Sequence, residues 1–362
     1  MISRRKRVAL IAAAVLSLVL PVSACSSAST TPADPGSDEL TLVRIGSQQV
    51  AADAGLFLAD ERGYFADAGI EVKFERLADA SAITNALATG QLEVAGATMT
   101  PGTFMSVEQD LGIKIVGDKN YMAPADGDTP AISATRLAVL PEYDKGDITA
   151  TLESLKGKRL AIHSSLSIQI VYLAAFLENH GFSLDDFQIT PVLSPDQTAA
   201  LQGGSIEAAV MQEPYLTQAI TNDIAVEVSD LTDGLPRGVS TAALVYGPAF
   251  IEDAETAQAF MNAYMKAVRE YNDAVFYGTE EEKRAVMEVV AERTGTPIED
   301  LMKASPAGLD PDQVVDSDWI QHCSDFYQMT GDLAVDVDVA DLIDTQFRDA
   351  AIKELGEYVA GS

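Results

Sequence analysis

Apolar and polar stretches alternate between residues 151 and 214 in a way that predicts one α/β lobe. A short apolar run at residues 159–163 follows a glycine stop and has the length of a buried strand. Apolar residues then recur three and four positions apart, as on one face of a helix, until Gly181. A second short helix precedes the apolar run 206–211, which is therefore predicted to be another strand of this lobe.

The same alternation covers the rest of the chain after residue 40 and predicts an α/β fold. Further strands are predicted at residues 42–46, 70–74, 92–97, 113–117 and 242–246. Helices are predicted at residues 54–62, 82–87, 319–329 and 339–358. From residue 254 the chain is strongly helical, and the aromatic stripe from Phe260 to Tyr271 is typical of packing rather than of a cofactor site.

One sequence pattern occurs twice. Residues 86–95 and 200–209 share five of ten aligned positions, namely Ala, Leu, Gly, Glu and Ala. In both copies a helix is predicted to stop at the glycine, and the glutamate has the same place near the start of a strand. The separation of 114 residues is too long for a solenoid repeat and suits two similar lobes.

Polar side chains follow three of the predicted strands directly. Open α/β sheets bind ligands at such strand ends, where the next helix offers free N–H groups. We therefore predict ligand binding by Ser164 and Ser165, by Thr98 and Thr100, and by Gln48. The alternative is that the hydroxyls cap helices, which needs no ligand.

Two charged residues are further candidates for the binding site. Glu213 ends a buried apolar strand, where a carboxylate is costly unless it faces a cleft or has a partner. It could accept hydrogen bonds from an amine, an amidine or a ring N–H, or it could pair with Arg237. Arg237 lies in a loop and could hold a sulfonate or carboxylate with two hydrogen bonds, or it could be a solvated surface residue.

Three sequence motifs of the lobe at residues 151–214 resemble those of a known family. They are Leu155-Lys156-Gly157-Lys158-Arg159, Gly204-Ser205-Ile206-Glu207-Ala208-Ala209 and Glu213-Pro214-Tyr215. The chain resembles the periplasmic substrate-binding proteins of ABC importers, in the nitrate/sulfonate/taurine (SsuA-like) branch. That branch also contains binders of pyrimidine precursors of thiamine. The resemblance covers essentially everything after Leu40.

The resemblance implies a two-lobed periplasmic-binding-protein fold of type II-like form, with hinge strands and a ligand cleft between the lobes. Lobe I is expected to comprise residues 40–130 and 243–362, and lobe II residues 131–242. In this family the corner at Ser164 and Ser165 helps to hold the polar end of the ligand. The position of Glu213 faces the ligand in related proteins.

The function implied is that of an extracytoplasmic solute-binding component of an ABC importer. It would close over a small organic or anionic solute of the sulfonate, taurine or nitrate class and deliver it to a membrane permease. Alternatives are a binder of a pyrimidine or other heteroaromatic vitamin precursor, a ligand sensor, or an enzyme like the fungal pyrimidine synthase. Enzymatic activity is disfavoured. That enzyme family carries a Cys-rich motif and works in the cytosol, whereas this chain has a predicted export signal and one cysteine in its predicted mature part. No phosphate-binding loop, metal-ligand spacing or nucleophile elbow is present in the sequence, and we expect no cofactor and no metal.

Charge narrows the classes of partner. The 362 residues have a formal net charge of −31. Nucleic-acid binding is therefore not expected, because neutralising phosphates needs clustered Lys and Arg. We expect a monomer that binds a small solute and contacts a permease.

The N-terminus predicts export and anchoring. Residues 1–24 combine a basic stretch with an apolar run and are predicted to be a signal peptide. Val22-Ser23-Ala24-Cys25 resembles a bacterial lipobox, so Cys25 is the predicted lipidation site. Residues 25–39 would be a flexible tether to the extracytoplasmic face of the membrane. The alternatives are a plain secretory signal and a membrane-spanning anchor.

Cysteine content limits the remaining chemistry. If Cys25 is lipidated, Cys323 is the one cysteine left, and an internal disulfide is impossible. Its neighbour His322 would point about 100° away on a helix, so we predict a buried structural cysteine rather than a nucleophile pair.

Overall fold

The computed structural model describes residues 40–77, 80–126, 131–133 and 135–361. The predicted signal peptide, the lipidation site at Cys25 and the tether lie outside these residues. The strands are β1 Thr41–Ser47, β2 Ile70–Arg76, β3 Val94–Thr98, β4 Lys114–Met122, β5 Thr135–Val139, β6 Arg159–Ile162, β7 Gln188–Pro191, β8 Ala208–Gln212, β9 Val226–Ser229 and β10 Val239–Tyr246. The α-helices are α1 Ala54–Glu61, α2 Tyr64–Asp67, α3 Ala80–Ala88, α4 Pro101–Glu108, α5 Ile148–Ser154, α6 Gln169–Asn179, α7 Ser194–Gln202, α8 Tyr215–Thr221, α9 Pro248–Glu252, α10 Ala254–Asn272, α11 Glu280–Thr294, α12 Ile298–Lys303, α13 Ser317–Thr330 and α14 Gln346–Leu355.

The strands form two separate five-stranded sheets, as the predicted two-lobed α/β fold requires. Sheet I has the order β2-β1-β3-β10-β4, and sheet II has the order β7-β6-β8-β5-β9. In each sheet four strands run in one direction, while β10 in sheet I and β5 in sheet II run antiparallel to their neighbours. The chain leaves sheet I after β4 and returns to it with β10, whose eight residues are all buried. The predicted lobe limits near residues 130 and 242 stay a prediction.

The duplicated sequence pattern corresponds to the same Arg–Glu clamp in both sheets. In sheet I the Glu93 carboxylate accepts hydrogen bonds from the backbone N–H of Arg44 at 2.7 Å and from its guanidinium Nε at 3.0 Å. In sheet II Glu207 accepts the equivalent bonds from Arg159 at 2.9 and 3.0 Å. Arg44 lies in the middle of β1 and Arg159 begins β6, and both are inner strands, so each clamp fixes the turn after a helix against an inner strand.

The glycines of this pattern have a conformational role. Gly90 has a φ of 69° and Gly204 a φ of 66°, and this left-handed region favours glycine. Their carbonyl oxygens accept hydrogen bonds from the guanidinium groups of Arg44 and Arg159, at 3.0 and 2.9 Å. The two lobes therefore use one local solution to join a helix to a strand.

Two predicted boundaries were wrong. Strand β4 continues five residues beyond the predicted end at residue 117, because the polar residues 118–120 pair with β10 and are buried. The predicted closing helix 339–358 begins only at Gln346, because Leu342 and Asp344 make backbone hydrogen bonds with Ile115 of β4. The segment before α14 is therefore extended where it adds to the edge of sheet I.

The C-terminal helices pack on sheet I through the predicted aromatic stripe. Phe260, Tyr264 and Tyr271 on α10 are all 1% exposed or less. Cys323 on α13 is also buried, in agreement with a structural role, and burial raises the pKa of its thiol. None of the helices in the described ranges combines the length and the apolar character of a membrane span.

A buried carboxylate makes the stability of sheet I depend on pH. Asp118 on β4 accepts hydrogen bonds from the Ser240 hydroxyl at 3.2 Å and from the Asp310 backbone N–H at 3.1 Å. Burial, together with the negative charge of Asp310, raises the pKa of Asp118 well above its usual range. The folded state therefore binds the proton of Asp118 more tightly than the unfolded state does. Its contribution to the free energy of unfolding is fully present below the unfolded pKa and is lost as the pH rises through the folded pKa.

We expect the substitution Asp118→Asn to stabilise the protein at neutral pH. The asparagine Oδ1 can accept from Asp310, and its Nδ2 can donate to the Ser240 hydroxyl, which rotates to accept. At pH 7.5 the free energy of unfolding should rise by about 1 kcal/mol or more, and the gain should shrink as the pH approaches 4. Urea unfolding across this pH range measures the effect, with the exposed Asp67→Asn as the control. A gain that grows at acidic pH would contradict this account.

Candidate ligand-binding site

A cavity of about 180 Å³ is lined by residues of both sheets and of the C-terminal helices. Its polar lining comes from the ends of strands and the segments that follow them. Its apolar lining comes from α11, α12 and the segment after α12, and also from the segment after β1, the start of α6, β10 and α10. A concave site with apolar walls and a few convergent polar groups is the usual form of a small-molecule site.

A buried ion pair forms part of the lining on the side of sheet I. The Lys119 Nζ lies 2.7 Å from the Asp53 Oδ1, and the two side chains are 7% and 0% exposed. The other carboxylate oxygen of Asp53 accepts hydrogen bonds from the Ser47 hydroxyl at 2.7 Å and from the Val50 backbone N–H at 3.0 Å. The carboxylate is thus fully engaged, and the segment after β1 is held in place.

The lysine reaches this partner because a glycine on β3 leaves room for its side chain. Lys119 lies on β4, two strands away from Gly96 on β3. A Cβ at Gly96 would lie 2.1 Å from the Lys119 Cε, which is far inside van der Waals contact. The glycine is therefore required by the close approach of the lysine side chain.

Asn120, beside this ion pair, lines the cavity and has a buried acceptor without a partner. The Thr241 hydroxyl donates to the Asn120 backbone carbonyl at 3.1 Å, and the hydroxyl oxygen accepts from the Asn120 Nδ2 at 2.5 Å. These two hydrogen bonds determine the orientation of the amide. Its Oδ1 is left buried with no hydrogen-bond partner among the described residues, and such an acceptor costs about 1–3 kcal/mol.

His163, at the end of β6, is held by a single ring nitrogen. Its Nδ1 accepts a hydrogen bond from the Ser194 backbone N–H at 3.3 Å, and the Ser194 hydroxyl lies 3.0 Å away. Burial lowers the pKa of His163, so the ring is neutral at pH 7 with its proton on Nε2. The described residues place no carboxylate in hydrogen-bond contact with this ring. The geometry therefore supports a hydrogen-bond donor rather than a general base.

Glu213 follows β8 and contributes the carboxylate of the cavity lining. One carboxylate oxygen accepts a hydrogen bond from the Thr217 backbone N–H at 3.1 Å. Burial raises the pKa of Glu213, and the hydrogen bonds from Thr217 and then the positive charge of Arg136 oppose that rise. Among the described residues Glu213 forms no ion pair.

The opposite wall of the cavity is apolar. Met287 and Val290 from α11 and Leu301 from α12 are each 5% exposed or less. Ala304 and Ala307, from the segment after α12, continue this wall and are also buried. Such a surface favours a ligand with an apolar part, because burying that part on it gains the hydrophobic free energy.

Two side chains connect elements on either side of the cavity. Arg136 on β5 donates a hydrogen bond to the hydroxyl of Ser305, which lines the cavity after α12. The Tyr327 hydroxyl on α13 donates to the Met99 carbonyl at 3.1 Å and lies 3.5 Å from the Leu166 carbonyl. These carbonyls follow β3 of sheet I and β6 of sheet II. Direct hydrogen bonds therefore join elements on the two sides of the cavity.

Three of the seven predicted site residues lie together in the lining. They are Gln48, Thr98 and Glu213. The expected alternative pairing of Glu213 with Arg237 is not formed, because Arg237 is exposed and donates to the Pro124 carbonyl at 2.9 Å. Its guanidinium also lies 3.7 Å from Asp126. Arg237 is not among the residues that line the cavity.

The other three predicted residues also lie outside the lining. The Thr100 hydroxyl accepts from the Thr103 backbone N–H at 3.4 Å, as a helix cap does. The Ser164 hydroxyl accepts from the Leu166 backbone N–H at 3.3 Å, and Ser165 is exposed. Contact with a ligand stays a prediction for all seven residues.

Several lining residues were not predicted from the sequence. Gln169 and Tyr172 lie on α6, while Lys119, Asn120 and Thr241 lie on the adjacent strands β4 and β10. A signal for the strand residues existed, since Asp118-Lys119-Asn120 continue an apolar strand with polar residues. The contribution of α11 and α12 had no local signal, because it depends on how these helices pack.

Several solved structures share this arrangement of two α/β sheets. The aliphatic sulphonate binding protein SsuA from Escherichia coli is similar, with a TM-score of 0.65 and 18% identity over 84% of this chain and 92% of that chain. The nitrate-binding protein NrtA from Synechocystis PCC 6803 has a TM-score of 0.66 and 15% identity, over 88% and 90%. SsuA from Xanthomonas axonopodis bound to MOPS has a TM-score of 0.63 and 18% identity, over 85% and 99%.

The family follows from the sequence. The model of the NMT1-like family matches residues 36–291, which is more than half of the chain. The chain belongs to the NMT1-like family. This match and the similar structures confirm the predicted resemblance and the predicted fold class. A search by sequence among curated proteins found no match.

We expect the Lys119–Asp53 pair to show strong coupling in a double-mutant cycle. Removing one buried charge leaves the other without a partner, so Asp53→Ala and Lys119→Met should each reduce the free energy of unfolding by about 3–5 kcal/mol. The double variant should be more stable than either single variant, because neither charge then remains buried. Urea unfolding of the four proteins measures this coupling. Additive losses, or single losses below about 1 kcal/mol, would contradict it.

Proposed function

We propose that this protein is the extracytoplasmic solute-binding component of an ABC importer. The observation that carries the proposal is the cavity, whose lining comes from both sheets and from the C-terminal helices. A ligand that contacts both sides is bound better in the closed arrangement than in an open one, and it therefore favours closure. Capture and release of a solute need only this difference in affinity, with no covalent step.

The relatives support the same role. The similar structures include proteins whose names describe periplasmic binding of sulphonates and of nitrate. Sulfonates, taurine and nitrate are therefore the first class of solute to test. The Arg136–Ser305 and Tyr327 contacts are the ones that opening would break, so they belong to the closed state.

We further propose a lipid anchor at Cys25 and delivery of the solute to a membrane permease, with the protein as a monomer at the extracytoplasmic face. The lipobox-like sequence before Cys25 and the polar stretch after it support the anchor. A tether of this composition leaves the folded part free to reach a permease in the same membrane.

Replacement of the anchoring cysteine should change where the protein is found. We expect the full chain expressed in bacteria to fractionate with membranes and to incorporate a labelled fatty acid. The variant Cys25→Ser should lose the label and leave the membrane fraction. The variant Cys323→Ser provides the control, since this cysteine is buried in α13 and should not affect the label. Equal labelling of Cys25→Ser and the unmodified chain would exclude this site of lipidation.

The binding role itself predicts a bound solute. We expect native mass spectrometry of the full chain, purified without refolding, to detect a small molecule that is released on denaturation. Chain stripped of this molecule should gain thermal stability when a member of the sulfonate, taurine and nitrate set is added at a concentration above its Kd. A chain that contains no small molecule and is stabilised by no solute, including an extract of the host medium, would contradict the function.

A further inference from the structure

The segment that follows α12, residues 304–310, is bound to the edge of sheet I, and we call it the strap. The Tyr121 backbone N–H donates a hydrogen bond to the Gly308 carbonyl at 2.9 Å, and the Asp310 backbone N–H donates to the Asp118 carboxylate at 3.1 Å. Tyr121 and Asp118 lie on β4, the edge strand of sheet I. The strap therefore has a fixed position relative to sheet I.

Helix α10 also holds the strap. The Tyr271 hydroxyl donates to the Ala307 carbonyl at 3.0 Å, and the Asn272 Nδ2 donates to the Leu309 carbonyl at 2.8 Å. Ala307 and Leu309 are 2% and 0% exposed. Because backbone groups of the strap are bonded to β4 and to α10, a movement of sheet I carries the strap with it.

The first part of the strap reaches sheet II. Helix α12 ends at Lys303, and Pro306 favours an extended backbone at Ser305, the residue before it. Ser305 lines the cavity, and its hydroxyl accepts a hydrogen bond from the Arg136 guanidinium on β5. This bond joins sheet II to the strap. The strap follows residues 36–291, which are the part of the chain that the family model matches.

Two carboxylates on the side of sheet II hold the guanidinium of Arg136. Its Nη1 lies 3.4 Å from Glu227 on β9 and 3.7 Å from Asp230, which follows β9. The Arg136 side chain is 11% exposed, and an unpaired charge there would be costly. Because both acids belong to the side of Arg136, it keeps its counter-charges when the bond to Ser305 breaks. The bond can therefore form and break reversibly.

We propose that Arg136 and Ser305 form a latch that stabilises the closed form of the protein, in which both sheets share the cavity, and slows the release of the solute. Arg136 is not among the residues that line the cavity, so it acts as a positioning residue through the strap. Ala304, Ser305 and Ala307 of the strap line the cavity, and the latch keeps them over it. This inference rests on the proposed solute-binding function and names a contact that controls it.

The latch acts on the conformational equilibrium and not on the fit of the solute. A hydrogen bond with a charged donor is about twice as strong as a neutral one, and its loss should lower the ratio of closed to open protein by about tenfold. A solute leaves from the open form, so its release becomes faster, whereas its association with the open form is unchanged. The shift also occurs without solute, because both partners belong to the protein.

The distance between the two sheets, measured without solute, tests the latch. Double electron–electron resonance on the full chain with Cys25→Ser reports the distance between two spin labels, and the other cysteine, Cys323, is buried. The labels are placed at exposed positions of the two sides, in one chain at Glu71→Cys on β2 with Glu178→Cys on α6, and in a second chain at Lys73→Cys on β2 with Asp196→Cys on α7. We expect Ser305→Ala to lower the ratio of the closed to the open population by about tenfold.

Matched variants locate the effect. Arg136→Lys keeps the positive charge but loses the guanidinium arm that reaches the hydroxyl, so it should act like Ser305→Ala. The double variant should lower the ratio no further, because either change removes the same bond. Ser305→Thr keeps the hydroxyl and should restore the ratio. The control Ser205→Ala removes an exposed hydroxyl that donates to the Ala200 carbonyl at 3.0 Å, and it should leave the ratio unchanged.

Several results would overturn the inference. Equal populations in Ser305→Ala and the unmodified chain would exclude a latch, and so would a double variant that opens about tenfold further than each single variant. A lower thermal stability of Ser305→Ala with unchanged distances would make the bond a structural contact only. The proposed function fails on a different result, namely the absence of any co-purified or stabilising solute in native mass spectrometry and thermal unfolding.

Discussion

The buried ion pair between Lys119 and Asp53 is the interaction on which the first side of the cleft depends. Two charges taken out of water are tolerated only when they contact each other and their remaining hydrogen bonds are satisfied. Here the carboxylate of Asp53 contacts Lys119, Ser47 and the backbone of Val50. The pair thereby ties β4 to the segment after β1, across β10 and β3. The ion pair also neutralises the charge of Lys119 beside the cavity. Glu213, in the lining on the side of sheet II, has no ion-pair partner among the described residues.

The Arg–Glu clamps explain how two sheets of different sequence present strand ends to one cavity. Glu93 holds Arg44 in sheet I, and Glu207 holds Arg159 in sheet II, with nearly equal distances. Each clamp satisfies the backbone N–H of an arginine in an inner strand and fixes the turn that leads into the adjacent strand. The opposite ends of these strands carry the polar groups of the site. The clamps therefore fix the turns at one end of each sheet, and the strands they hold carry polar side chains of the site at the other end.

The predicted strand ends located part of the cavity lining. Local hydrogen bonds kept other polar residues at strand ends out of it. Gln48, Thr98 and Glu213 follow predicted strands and line the cavity. Thr100 and Ser164 follow strands as well, but the backbone N–H groups of Thr103 and Leu166 already use their hydroxyls. A short hydroxyl side chain can bond to its own backbone as readily as to a ligand. Residue type and position alone do not distinguish the two outcomes.

By itself the sequence determined the class of fold, the helices and strands with strong periodicity, the duplicated pattern and the family. These features are local, because hydrophobic spacing and glycine stops act within one element. Only the tertiary structure decided the pairing of Lys119 with Asp53, the unpaired acceptor of Asn120 and the apolar wall from α11 and α12. Each of these joins residues far apart in the chain, and burial and charge pairing at such distances arise only when the elements pack together.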